Sequence, residues 1–150
     1  MITRITDLSE VNVEPILVES RLQGYRMIDR LIREWRTGEN SFSKPNEAFF
    51  GYTAKGSVVG LGGINEEPYL GVPEYGRIRH LYVLKAWRRR GVGTEILKRI
   101  VEFGLQHYTL ITLRTPSDTS ADEFYERNGF VRNTSLDTIT HVYGQSAASA

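Results

Sequence analysis

The chain has 150 residues, no cysteine, and 19 Lys and Arg against 18 Asp and Glu, for a formal net charge of +1. That composition excludes a disulfide scaffold, a cysteine nucleophile and a thiolate metal site, and it gives no overall field to attract a nucleic acid. A hydrophobic share of 40% with 25% charged residues sets the expectation of one globular domain over residues 1–150. The start, MITRITDLSE, has no apolar signal segment, and no run approaches the ~18 apolar residues of a membrane span, so the expected compartment is cytoplasmic with no membrane partner.

In chain order, Met1–Thr6 reads as a short first strand. Asp7–Glu14 is polar, and Pro15 suits the first turn of a helix. Two helices follow, split near Gly24. The first carries Ile16, Leu17 and Leu22, and the second carries Met27, Ile28, Leu31, Ile32 and Trp35 at helical spacing. Gly38–Asn46 is a loop. Glu47–Ala54 and Ser57–Asn65 read as strands joined by Lys55-Gly56, a hairpin pair. Gly60, Gly62 and Gly63 inside the second strand point to a bulge or the close approach of another group. Glu66–Tyr75 is a turn-rich connection.

The stretch from Gly76 to Leu105 organises the rest. Arg77–Leu84 is a strand, Lys85–Arg90 a basic turn, and a helix opens at Gly91-Val92-Gly93-Thr94. Its apolar residues Val92, Ile96, Leu97, Ile100, Val101 and Leu105 fall on one face. A helix start offers unpaired N–H groups and partial positive charge, and glycine lets a ligand reach the backbone. With Arg88, Arg89 and Arg90 beside it, this junction is a candidate cradle for a phosphate or pyrophosphate. It is neither a Walker loop, because the chain has no Gly-Lys pair, nor a Gly-x-Gly-x-x-Gly fingerprint, because Ile96 stands at the third glycine. Beyond it, Tyr108–Thr115 is a strand and Ser117–Ser120 offers caps for a helix that ends at Asn128-Gly129. Phe130–Asn133 and Thr138–Tyr143 close the strand count, and 145–150 reads as a frayed tail.

Arg88-x-x-Gly91-x-Gly93 after a hydrophobic strand resembles the acyl-CoA pyrophosphate motif of the GNAT superfamily of N-acyltransferases. Ala121-Asp-Glu-Phe124-Tyr125-Glu-Arg-Asn-Gly129-Phe130 is similar to the later helix of the same family. The likeness covers roughly Glu47 to Tyr143, with Asp118 where the family usually has asparagine. It implies a mixed α/β fold: a mostly antiparallel sheet of six to seven strands with helices on both faces.

The resemblance further implies acetyl-CoA as co-substrate, no metal, and transfer to an amine acceptor, either a small molecule or a peptide. The backbone from Arg89 to Thr94, with Arg88, Arg89, Arg90, Gly91, Val92, Gly93 and Thr94 all in play, would hold the diphosphate. Main-chain groups of Leu81 and Val83 would pair with pantetheine, Asp118 would touch the acyl-CoA, and Tyr125 would protonate the leaving thiolate. Tyr25, Arg77, Arg79 and Glu66 are candidates for the acceptor side. The pair Arg77 and Arg79 shares one strand face and suits an anionic group. Glu66, Glu67, Glu74, His80 and His141 are the candidate bases, with His80 expected to alternate to the other face unless a bulge intervenes. Family members are often dimers, so a second copy is a candidate partner. A non-catalytic acyl-CoA sensor is the alternative reading.

Overall fold

In the computed structural model, which describes residues 1–116 and 119–144, the chain runs β1 (Ile2–Arg4), α1 (Glu14–Leu22), α2 (Met27–Thr37), β2 (Ala48–Ala54), β3 (Ser57–Glu66), β4 (Tyr75–Val83), α3 (Val92–Gly104), β5 (Leu110–Leu113), α4 (Thr119–Arg127), β6 (Val131–Arg132) and β7 (His141–Gly144). Single 3-10 turns at Leu8–Glu10 and Lys85–Trp87 break two of the connections. Ser117, Asp118 and the 145–150 tail, where a cap, a ligand contact and fraying are expected, lie outside the described residues.

The strands form one sheet in the order β1-β2-β3-β4-β5-β7-β6. Every neighbouring pair is antiparallel except β4 and β5. This is the mixed α/β architecture and strand count that the sequence leads one to expect. Lys55 and Gly56 make the hairpin turn with φ of 53° and 79°, the left-handed pair that matches strand twist.

Helices cover both faces. On one, Ile96, Leu97 and Ile100 of α3 pack with Phe50, Ile64, Ile78 and Ile111 of the sheet, and Tyr125 of α4 joins them. On the other, Ile16 of α1 with Ile28 and Leu31 of α2 cover Phe49, Leu61 and Tyr82. Each fully buried aliphatic residue in these layers contributes about 1.5–3 kcal/mol. Leu105 departs from the expected stripe: it follows α3 and is 48% exposed, because the helix has ended before its side chain comes round to the core.

The glycines of β3 are explained by both effects anticipated for them. A Cβ on Gly60 would lie 2.8 Å from Ile96 Cδ1, and one on Gly62 3.2 Å from Ile100 Cδ1, so α3 rests almost on the backbone. Opposite Gly62 the ladder shifts. Leu61 pairs with Tyr82 and Gly63 with Arg79, so one residue of β3 faces two, His80 and Leu81, of β4. This is a β-bulge on the central strand, with His80 at φ 60°. It changes the parity of β4. Ile78, Leu81 and Val83 all face α3 and α4, while Tyr82 faces α1 and α2.

Gly63 lies against the opposite layer, where a Cβ would sit 2.6 Å from Phe49 Cδ2 and 2.8 Å from the Ala48 carbonyl oxygen. The carbonyl belongs to the ladder and cannot yield. Gly63→Ala is therefore expected to destabilise the protein by about 1–3 kcal/mol, read as a lower urea midpoint at unchanged slope. An unshifted midpoint would show that the two strands have slack at this point.

Candidate active site

β4 is held by β5 over only three residues, Tyr75, Gly76 and Arg77, which pair with Leu110, Ile111 and Thr112. From Ile78 onward the strands part. β5 is half as long as its sequence suggests, since the chain after Leu113 is drawn toward the other neighbour. Thr140 N–H donates to the Leu113 carbonyl, Thr115 N–H to Thr140 Oγ1, and Arg114 Nε to the Asp137 carbonyl. Leu84 N–H donates to Val59 of β3. Alternation then turns the amides and carbonyls of Val83 and Leu81 away from β3, into the gap.

α3 begins at the mouth of this gap. Gly91 caps it with φ 85°, and Arg89 is also left-handed at φ 63°. A Cβ on Gly91 would meet nothing within 4 Å. Among the described residues, no N–H from Arg89 to Thr94 donates a backbone hydrogen bond. The three arginines are not equivalent. Arg88 turns back: its Nε donates to the Val83 carbonyl at 2.8 Å and its guanidinium lies 5.3 Å above the Tyr82 ring. Arg90 stacks 5.0 Å over Trp87. Arg89 is exposed beside the bare amides. Glu19 of α1 accepts from Tyr82 Oη at 2.6 Å and from Lys85 N–H at 3.1 Å, so α1 anchors the end of β4 and the turn that leads to α3. An open helix start with two left-handed residues before it binds anions with its main chain.

α4 brings Tyr125 to the same face of the gap as α3. Its ring is buried among Phe124, Phe130 and His141, with centroids 5.2–5.7 Å away. Burial pushes the phenol above its ordinary value, so it stays protonated at neutral pH, as a free phenol would, and yields its proton less readily. His141 is wholly buried, 3.3 Å from Asp122 of α4, and Asp122 is paired in turn with Arg132 of β6 at 2.9 Å. The candidate base His141 is thus part of the clasp between α4 and β6–β7, and burial holds it below its ordinary value.

The acceptor-side candidates separate. Tyr25 is half exposed in the α1–α2 turn, lining a hollow of about 460 Å³ with Arg21, Arg26 and Asp29. Glu66 ends β3 and is exposed. The buried acid is its neighbour Glu67, whose Oε2 accepts from the N–H groups of Tyr69 and Leu70. Arg77 is buried and engaged: it donates to the Thr138 carbonyl at 2.8 Å, lies 3.6 Å from Glu67 and covers the Tyr69 ring. Among the described residues Arg79 has a single contact at hydrogen-bond range, Asn65 Oδ1 at 3.4 Å.

The exception allowed for His80 applies: the bulge intervenes, so it does not alternate to the face opposite Arg79. Its ring meets Phe42 edge-on at 6.3 Å, on the face that carries α1 and α2, and Arg79 lies close enough to repel its charged form.

The profile of the acetyltransferase (GNAT) family matches residues 13–130. A crystal structure of a candidate acetyltransferase from Exiguobacterium sp. 255-15 superposes with a TM-score of 0.87 at 31% identity, over 99% of this chain and 95% of that one. The chain belongs to the GNAT acetyltransferase family. Two more distant structures share the fold. An acetyltransferase from Streptococcus agalactiae 2603 has a TM-score of 0.75 at 17% identity, over 97% of this chain and 98% of its own. A candidate streptothricin acetyltransferase from Bacillus anthracis Ames, solved in complex with acetyl coenzyme A, has a TM-score of 0.55 at 20% identity, over 67% and 62%. A comparison with curated proteins gives no match.

Within this GNAT chain, sequence reasoning missed Glu19, Asn65 and the pair Arg30–Glu34. Only the last had a local signature, an i,i+4 cation and acid on α2, closed at 3.0 Å. Among the described residues no helix is long and apolar enough to cross a membrane, and no acidic or histidine cluster is arranged to hold a metal.

Burial first, then the charges of Arg79 and Arg30, depress His80 from 6.5 to about 3. The unfolded chain takes up this proton below about pH 6.5 and the folded chain refuses it, so the stability from a neutral His80 is complete above that pH and is lost as the pH falls toward 3. Between pH 7 and about pH 4 the wild type should lose about 2–3 kcal/mol more than His80→Phe. Parallel losses in urea titrations of the two proteins would contradict this environment for the ring.

Proposed function

We propose that the protein is an acyl-CoA-dependent N-acetyltransferase, with residues 1–150 acting as one N-acetyltransferase-like domain in the cytoplasm. The observation that carries the reading is the gap between β4 and β5, with an open, unpaired helix start at its mouth. The amides from Arg89 to Thr94 bind the diphosphate of acetyl-CoA, with Gly91, Val92 and Gly93 allowing close approach. Arg89 adds charge directly, and Arg90 adds it from its seat on Trp87. Asp118 stays assigned to the acyl-CoA by its place in the motif.

The pantetheine arm lies along β4 as an added strand. It pairs with the main chain of Leu81 and Val83, and Arg88 leaves the Val83 carbonyl to serve the diphosphate. The thioester then reaches the point where β4 and β5 meet. A neutral amine attacks its carbonyl carbon. A C–N bond forms, the C–S bond breaks, the thiolate takes the Tyr125 phenol proton, and the amine's surplus proton leaves to solvent. The place of Tyr125 on the α3 and α4 side of the gap supports the acid role. Burial, which raises its affinity for the proton, works against the transfer, so the thiolate must approach closely to take it. The acceptor is a small-molecule or peptide amine that enters from the side of α1 and α2, where Tyr25 borders the approach. Glu66 ends β3 beside Tyr108, where β4 and β5 are still paired, and takes no part.

Thr94→Asp places a carboxylate in the first turn of α3, where it favours the helix but competes with a diphosphate. The variant is expected to melt no lower than wild type and to bind acetyl-CoA about tenfold or more weakly. Unchanged affinity in calorimetry would remove the cradle from the reading. Tyr125→Phe is expected to lower kcat by about 10²-fold while the dissociation constant of acetyl-CoA moves by less than about twofold. A variant with wild-type turnover would end the acid role.

A further inference from the structure

We propose that Arg79 receives an anionic group on the acceptor, so that the amine acylated by this protein also carries a carboxylate. The inference rests on the acyltransferase reading above and adds the substrate class to it.

Charge matching on the α2 side of the gap carries the argument. Three arginines meet there with two buried acids. Arg30 is closed on Glu34 at 3.0 Å. Arg77 is spent on Glu67 and on the Thr138 carbonyl. Arg79 is left without a carboxylate within ion-pair distance among the described residues, and its one neutral contact, Asn65 Oδ1, is at the limit of a hydrogen bond. Its guanidinium is desolvated, and the repulsion of Arg30 is offset only at a distance by Glu34, which is already closed on Arg30, and by Tyr69. A partly buried guanidinium with donors to spare is costly to hold unless an anion completes it.

A second observation marks the same place. His80 Nε2 is buried with no partner among the described residues, and its ring stands on a left-handed backbone at φ 60°, a conformation that costs energy and clusters at functional sites. A polar ligand seated on Arg79 would supply the partner that this nitrogen lacks.

Position supports the assignment. Arg79 is two residues beyond Arg77, the last residue that β5 pairs, so it stands where the gap begins. It faces α2, whereas Tyr125 and the start of α3 lie on the other face. An acceptor held there by its carboxylate points its amine at the thioester through the opening.

Wild type, Arg79→Gln and Arg79→Lys, matched for folding by circular dichroism and melting, are to be assayed with acetyl-CoA against amino acids and the carboxamide of each. Release of CoA is the readout. In wild type, kcat/KM for the carboxylate member should exceed that for its carboxamide by about tenfold or more. Arg79→Gln should erase the ratio through KM, with acetyl-CoA affinity unchanged, and Arg79→Lys should keep part of it. N-acetylglycine, which has the carboxylate but no reactive amine, gives a readout independent of turnover. It should bind the CoA-loaded wild type and bind Arg79→Gln about tenfold more weakly.

Preference for carboxamides or polyamines, equal N-acetylglycine affinity in wild type and Arg79→Gln, or no binding to wild type overturns the proposal. A wild type that binds acetyl-CoA but takes only amines without a carboxylate overturns this inference alone. One that does not bind acetyl-CoA overturns the acyltransferase reading and this inference with it.

Discussion

The parting of β4 from β5 is the constraint on which the rest of the molecule depends. A central strand normally spends its hydrogen bonds on two neighbours. Here β4 keeps β3 for most of its length and keeps β5 for three residues. Unpaired main-chain groups in the middle of a sheet are costly unless something answers them. The chain answers one locally, by folding Arg88 back so that its Nε meets the Val83 carbonyl. The same divergence fixes the layout of both faces. α3 and α4 must close over one side, and α1 must reach across the other to hold the free end of β4 through Glu19.

Much of this was legible in the residues. Lys55-Gly56 signals a hairpin turn and forms one, and Gly91 signals an open helix start and caps α3. The apolar stripe of α3 needs a flat apolar surface, and the glycines of β3 provide one almost without side chains. Such features depend on neighbours a few residues away, so they survive being read in one dimension. The length of β5 did not, because its shortness comes from Asp137 and Thr140, more than twenty residues later.

A bulge was signalled by the β3 glycines, but its placement on β4 at His80 and Leu81 was not. Ile78, His80 and Tyr82 would share a face in a regular strand, but an extra residue makes Leu81 and Val83 the partners of Ile78. Arg77 and Arg79 look interchangeable at two-residue spacing. Glu67 and the Thr138 carbonyl distinguish them, and nothing in the local sequence places either beside Arg77. The same holds for Arg88, Arg89 and Arg90. Adjacent in sequence, they take a carbonyl, open solvent and an indole ring respectively. Charge could be counted from the sequence, but the direction of each charge could not.

On the proposed reading, the sheet itself separates the two reactants. The anion-binding helix start and the buried phenol of Tyr125 belong to the face covered by α3 and α4, and Arg79 and His80 to the face covered by α1 and α2. β1 to β4 form one antiparallel block, interrupted by register shifts in the β2–β3 and β3–β4 ladders, and β5 to β7 close the far side. Among the described residues the opening between them is the place where a group on one face can meet a group on the other. A thioester laid along β4 would present its carbonyl there, and an amine tethered from the α2 side would approach it from behind the strand. Orientation of this kind lowers the barrier by removing rotational freedom before reaction. It also explains why the chain tolerates a strained residue and an unanswered nitrogen at His80, since both lie at the point where the two approaches converge.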